Sequence, residues 1–341
     1  MSMKKEVEYL LKLLDVPGAI VSLQSTNNSF NITYGYSDLK HKTRVNVNDR
    51  WRIGSNTKMY VGIVLLQLYE EGLLDLNDKV SKHLVGLPEF YKDLTIEQVG
   101  TMRSGVPDYY KTSTFQKIYQ EDLKRNWLTA ELYAIAAMET PKFKPGTKSE
   151  YSNSNSIILG LIIERLTGNT LEYEIEKRIF NPVNLKETKF QTNTSLRQPH
   201  MNGYEYVKKL KDVTHINISW AWAAGAISST LKDSIKFIKY VSNQKHQPWH
   251  LLDTSPYFNT PIYYGFHLLK IENFIGHSGN VPGYDSFILY EPETETSLVI
   301  VVNNSVNLKG ILPAEFIGSY IINRLNHKIK LEDAITYIKN R

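Results

Sequence analysis

Ser55 and Lys58 stand three residues apart at the head of a densely apolar stretch. Residues three apart on a helix share one face, so a hydroxyl and an amine meet there, the pairing of a nucleophile with a base. Behind them come Met59, Val61, Ile63, Val64, Leu65, Leu66 and Leu68, with Leu73 just past Gly72. Such a pattern, apolar nearly all round, predicts a buried helix, and Gly72 predicts its end. A helix N-terminus aims N–H groups and partial positive charge at a developing oxyanion. The stretch 51–72 could therefore carry acyl transfer. Serine is equally a good N-cap, and Ser-x-x-Lys occurs five times, at Ser2, Ser37, Ser55, Ser229 and Ser242. Of these, only Ser55 opens a long apolar helix and follows a glycine.

Acyl transfer also needs a proton route to the leaving group and donors for the oxyanion. Tyr151-Ser152-Asn153 offers a phenol, whose pKa an ammonium can lower, and an amide that both donates and accepts. The same residues could be a capping Asn153 beside a packing tyrosine. His277-Ser278-Gly279-Asn280 lies on a predicted strand, where backbone groups could pair with an extended substrate. The Asn280 N–H could join that of Ser55 in an oxyanion hole. A histidine at a strand end is also an ordinary surface residue. His246 and His250 have Pro248 between them and no accompanying carboxylate, so they read as loop residues and not as metal ligands. Tyr109 and Tyr110 could line a cleft or simply pack.

These groups need elements to position them. A helix is predicted over 3–14, strands over 19–23 and 30–36 around a polar turn, and helices over 95–102 (N-cap Thr95), 115–139 in one or two pieces, 154–167 and 171–179. A helix over 231–241 follows Ser229-Thr230. The tail reads as strands over 263–269, 274–277, 285–291 and 297–303, then a last helix over about 313–324. Strands at both chain ends with helices between predict an α+β fold: one antiparallel sheet built from both ends and flanked by terminal helices. The expected division is residues 1–55 with 225–341 as the sheet domain and 56–224 as a mostly helical insert. The site would lie in the cleft between them.

Composition narrows the class. At 341 residues, 42% apolar and 22% charged, the chain can bury a large core. The net charge of +5 is scattered, without a Lys/Arg block that would imply nucleic acid. With no cysteine there is no disulfide, thiol nucleophile or thiolate metal site. No run of 18 apolar residues predicts a membrane span, and the N-terminus is not a signal peptide. The expected location is cytoplasmic if the chain is complete, extracytoplasmic if a targeting segment was removed. Neither cofactor nor metal is expected.

Together the three segments resemble the serine β-lactamase and penicillin-binding-protein superfamily. They are Gly54-Ser55-Asn56-Thr57-Lys58, Tyr151-Ser152-Asn153-Ser154-Asn155, and Gly276-His277-Ser278-Gly279 with Pro282-Gly283-Tyr284. Supporting stretches are Ser104-Gly105-Val106-Pro107, Phe143-Lys144-Pro145-Gly146-Thr147 and Ala223-Ala224-Gly225-Ala226. The likeness spans about 15–305 and is greatest to the class C-type branch, which includes D-alanyl-D-alanine carboxypeptidases, D-amino-acid peptidases, related esterases and class C β-lactamases. The resemblance implies that Ser55 is acylated and that Lys58 and Tyr151 handle its proton. It implies that Asn153 holds the substrate amide, that His277, Ser278 and Gly279 bind substrate along the strand, and that the Ser55 and Asn280 N–H groups form the oxyanion hole.

One departure matters. β-Lactamases of this branch usually carry Lys-Thr-Gly at the third motif, and this chain has His277-Ser278-Gly279 there and no Lys-Ser/Thr-Gly anywhere. That weakens efficient β-lactam hydrolysis and leaves Lys270 and Arg103 as candidates for holding a substrate carboxylate. The expected activity is a carboxypeptidase-like or D-amino-acid peptidase reaction on a small-molecule or peptide substrate. The alternatives are a carboxylesterase, a weak β-lactamase, or a covalent sensor that acylates without turnover.

Overall fold

The computed structural model describes residues 1–26, 29–244, 249–252, 258 and 260–341. Its centre is a nine-stranded antiparallel sheet. From one edge to the other its strands are Thr43–Arg44, Phe30–Asp38, Gly18–Gln24, Thr296–Val302, Tyr284–Glu291, Phe274–Val281, Leu269–Ile271, Ile262–Tyr264 and His250–Leu251. Gly18–Gln24 pairs with Thr296–Val302, Ala19 opposite Val302 and Gln24 opposite Ser297, so the two chain ends meet in mid-sheet.

The side-chain period of two explains why these central strands are apolar throughout. Leu298, Ile300 and Val302 point into one core with the terminal helices Met3–Leu13, Pro313–Leu325 and Leu331–Lys339. Val299 and Val301 point into the other core, with the helices of the chain's middle. Both faces are covered, so alternation gives way to a continuous buried run.

The helix Thr57–Glu70 belongs to the second core and is buried on every side from Thr57 to Leu66. Against it packs the helix Asn153–Thr167, which ends at Gly168 in the left-handed conformation. Thr95 caps the helix Ile96–Gly100: it accepts from Gln98 N at 3.2 Å, and the Gln98 side chain accepts from Thr95 N at 3.1 Å.

Several expectations need correction. The strand expected over 263–269 is two strands, Ile262–Tyr264 and Leu269–Ile271. Between them Gly265 N bonds Leu268 O at 2.8 Å, while His267 N reaches Gly100 O at 2.9 Å. Tertiary bonding to the helical layer thus turns the chain where β-propensity would continue it. A further helix, Leu331–Lys339, follows the one expected to be last. The middle of the chain also carries short strands at Lys189–Phe190, Tyr204–Val207 and Lys209–Asp212, too brief to show a period. His246 lies outside the described residues; His250 is on the sheet-edge strand and not in a loop. Among the described residues, no helix is long and apolar enough to cross a membrane.

Candidate active site

Ser55 sits in a single 3-10 turn, Gly54–Asn56, that feeds directly into Thr57–Glu70. Every residue from Trp51 to Tyr60 is buried except Ser55. It opens onto a cavity of about 410 Å³ whose wall includes Asp108, Tyr110, Tyr151, Asn153, Ser278 and Glu315. A larger recess of about 600 Å³ lies at the far end of the sheet, between Pro17 and Tyr206, and holds none of the motif residues.

Lys58 Nζ is fully buried and 3.0 Å from Ser55 Oγ. It donates to Asn153 Oδ1 and to the Ala224 carbonyl, each at 2.8 Å. These two acceptors occupy two N–H groups of a neutral amine and turn its remaining tetrahedral position, the lone pair, toward Ser55 Oγ. Burial lowers the Lys58 pKa from 10.5 to about 7, although the Asp108 carboxylate opposes the shift. Near neutrality a large share of the amine is therefore free to accept a proton.

Tyr151 differs from expectation. Its ring is 5.0 Å from Lys58 Nζ, yet burial raises its pKa well above that of an ordinary phenol, with only the Ser55 hydroxyl opposing. Desolvation of the phenolate is the largest cause, and the carboxylates of Asp108 and Glu315 add to it. The buried hydroxyl has no hydrogen bond of good geometry to protein and stays protonated.

Asn153 is oriented from both ends. Its Oδ1 faces Lys58, and its Nδ2 donates to Asp108 at 3.1 and 3.3 Å. A substrate amide would have to share these bonds. Nothing local in the sequence marks Asp108 for chemistry, since its importance comes from the fold bringing it beside residue 153. The Ala224 carbonyl likewise has no side-chain signature. Tyr110 lines the cavity, whereas Tyr109 is buried with its hydroxyl on Trp220 O at 2.6 Å.

The strand Phe274–Val281 forms the opposite wall. The ring of His277 is 1% exposed, and burial, followed by the charge of Lys58, lowers its pKa to about 3, so it is neutral. Nδ1–H donates to the Ser278 carbonyl at 2.5 Å, leaving Nε2 to accept from Tyr264 O–H at 3.0 Å. With both nitrogens occupied, His277 braces the wall and supplies no positive charge to a substrate. Arg103 and Lys270 do not line the cavity: Arg103 bonds the Gly146 carbonyl, and Lys270 lies over Trp249. The expectation that either holds a substrate carboxylate is not met.

Two glycines let this strand seat against the serine turn. Gly54 has φ +54°, and a Cβ on it would come within 3.0 Å of Asn280 N, which shows how near that N–H lies to residue 55. A Cβ on Gly279 would overlap the Ile53 carbonyl and crowd the Asn56 amide and the Ser286 hydroxyl. Gly279→Ala should therefore cost about 1–3 kcal/mol by overpacking and displace the Asn280 N–H. Its kcat/KM should fall on the order of 100-fold. Thermal melts and ester kinetics check this, and kinetics within about threefold of wild type would show that the close seat is not needed.

A buried helix headed by a serine, an amine against it and a strand edge facing both define a serine hydrolase of the β-lactamase and penicillin-binding-protein type. The chain belongs to the Beta-lactamase family, whose model matches residues 6–314, and it has the β-lactamase/transpeptidase fold. It is 29% identical over 316 residues to Protein flp of Staphylococcus aureus, covering 87% of this chain and 61% of that relative's length. It is 25% identical over 322 residues to the teichoic acid D-alanine hydrolase of Staphylococcus aureus, covering 90% of this chain and 76% of the other. A D-stereospecific amidohydrolase from Streptomyces sp. superposes with a TM-score of 0.79 at 25% identity, covering 94% of this chain and 97% of that one.

Proposed function

We propose that the protein hydrolyses D-amino-acid amides, peptides or esters through an acyl-enzyme on Ser55. The observation that carries this reading is the Lys58 amine, buried, depressed to about 7 and 3.0 Å from the serine oxygen. Names carried by similar proteins, a D-stereospecific amidohydrolase and a teichoic acid D-alanine hydrolase, support the D-aminoacyl part. The neutral third motif argues against efficient β-lactam turnover.

Neutral Lys58 takes the Ser55 proton as Oγ attacks the carbonyl carbon, giving a tetrahedral oxyanion and a lysine ammonium. The backbone N–H groups of Ser55 and Asn280 hold the oxyanion. Tyr151 gives its proton to the departing nitrogen or oxygen and is reprotonated by Lys58. The C–N or C–O bond breaks, and the acyl group stays on Ser55. Water then attacks the ester along the same route in reverse, losing its proton to the Lys58–Tyr151 pair, and Ser55 recovers its proton as the acid leaves.

The test is adduct mapping. The full chain is incubated with a fluorescent penicillin and with an activated D-alanyl ester, digested, and the added mass located. The label is expected on the peptide bearing Ser55. Label on another residue, or turnover with Ser55 never modified, defeats the proposal.

A further inference from the structure

Glu315 lies in the first turn of the helix Pro313–Leu325 and lines the same cavity as Ser55. Its neighbour across the wall is Ser278, whose side chain hydrogen-bonds it. Among the described residues no Lys, Arg or His forms an ion pair with it. The helix it opens has its own acid: Asp285, fully buried, accepts from Ala314 N at 2.7 Å. Asp285 thus caps that helix end, and Glu315 is left facing the cavity with one hydroxyl partner. Its setting is acidic. Asp285 lies behind it, and Asp108 and Glu150 line the same cavity, against one exposed cation at the mouth, Lys111. A carboxyl placed in such a wall with no cation of its own is completed by a cationic ligand. Burial pushes Glu315 toward its neutral form, with the Ser278 hydroxyl opposing, and an ammonium beside it reverses that tendency.

We propose that Glu315 ion-pairs with a free ammonium on the acyl portion of the substrate, making this site selective for unblocked aminoacyl esters and amides. The proposal rests on the Ser55 acyl-enzyme reading. It gives that site a specificity determinant on the C-terminal helix that none of the three motifs contains. It also explains why a neutral third motif is tolerated, since the group to be recognised is positive.

The experiment compares D-alanine p-nitroanilide and D-alanine methyl ester with their N-acetyl counterparts, in wild type, Glu315→Gln and Glu315→Asp. The readout is the ratio of kcat/KM for the free amine over the acetylated form, which general damage to the fold does not move. Wild type should favour the free amine by at least about 30-fold. Glu315→Gln should collapse that ratio toward unity, and Glu315→Asp should restore part of it. The amide and ester arms show which leaving group the site takes. An unchanged ratio in Glu315→Gln overturns the assignment. If Glu315→Gln does not fold, wild type still decides: equal rates on free and acetylated substrates overturn it. Acylation of Ser55 irrespective of the amine sinks only this proposal, whereas failure of every substrate to acylate Ser55 overturns the Ser55 reading as well.

Discussion

Lys58→Met should lower kcat/KM on the order of 1,000-fold and, at pH 6 to 7, make the protein more stable. The two effects share a cause. The drop from 10.5 to about 7 corresponds to on the order of 5 kcal/mol of interaction disfavouring the buried ammonium. The folded-state pKa is depressed, so between about 7 and 10.5 the unfolded chain binds the extra proton and stability rises with pH across that window. At or below pH 7 nearly all of the cost is present. Methionine removes it at similar volume and leaves Asn153 Oδ1 and Ala224 O without their donor, a loss of roughly 2 kcal/mol for each and about 4 kcal/mol together, less than the gain. The balance favours the variant at low pH and reverses toward pH 10. Wild-type kcat/KM should rise with pH through about 7, because the amine acts as a base only when unprotonated. Melting curves against pH, with rate profiles alongside, read both effects. A variant less stable than wild type at pH 6, or a rate that first rises near the ordinary lysine value, would refute the account.

Tyr151→Phe should separate substrates by leaving group. The raised pKa and unpaired, buried hydroxyl of Tyr151 suit the proposed proton donation, which a departing amine needs and an activated phenolate does not. Hydrolysis of D-alanine amides should fall roughly 100- to 1,000-fold, and that of p-nitrophenyl esters by less than about tenfold. No decline in rate from ionisation of Tyr151 is expected in the neutral range. Equal losses on both substrates would remove Tyr151 from the leaving-group step and leave it a packing residue.

The sequence revealed the parts of this site that announce themselves by type or spacing. The Ser55–Lys58 pair is legible because one turn of helix enforces it, and the helix because its apolar run has no polar face. The sheet from both ends was readable from strands such as 297–303, whose continuous apolar character demands two covered faces. Asp108, Ala224 and Glu315 were not readable as parts of the site. Each is made relevant by a neighbour far along the chain, at residues 153, 58 and 278. The protonation of Tyr151 is not legible in the sequence for a related reason: burial decides it, and burial is a property of the folded cleft.

The pairing of Gly18–Gln24 with Thr296–Val302 has a bearing on biosynthesis. A ribosome releases the nucleophile and its amine some 240 residues of synthesis before it releases the segment that locks the two chain ends together. Until then the strand carrying Asn280 pairs with Leu269–Ile271 and Tyr284–Glu291, but the strand that joins this half of the sheet to Gly18–Gln24 is missing. The nascent polypeptide therefore carries a serine that stays chemically ordinary until residues 296–302 have emerged and joined the sheet.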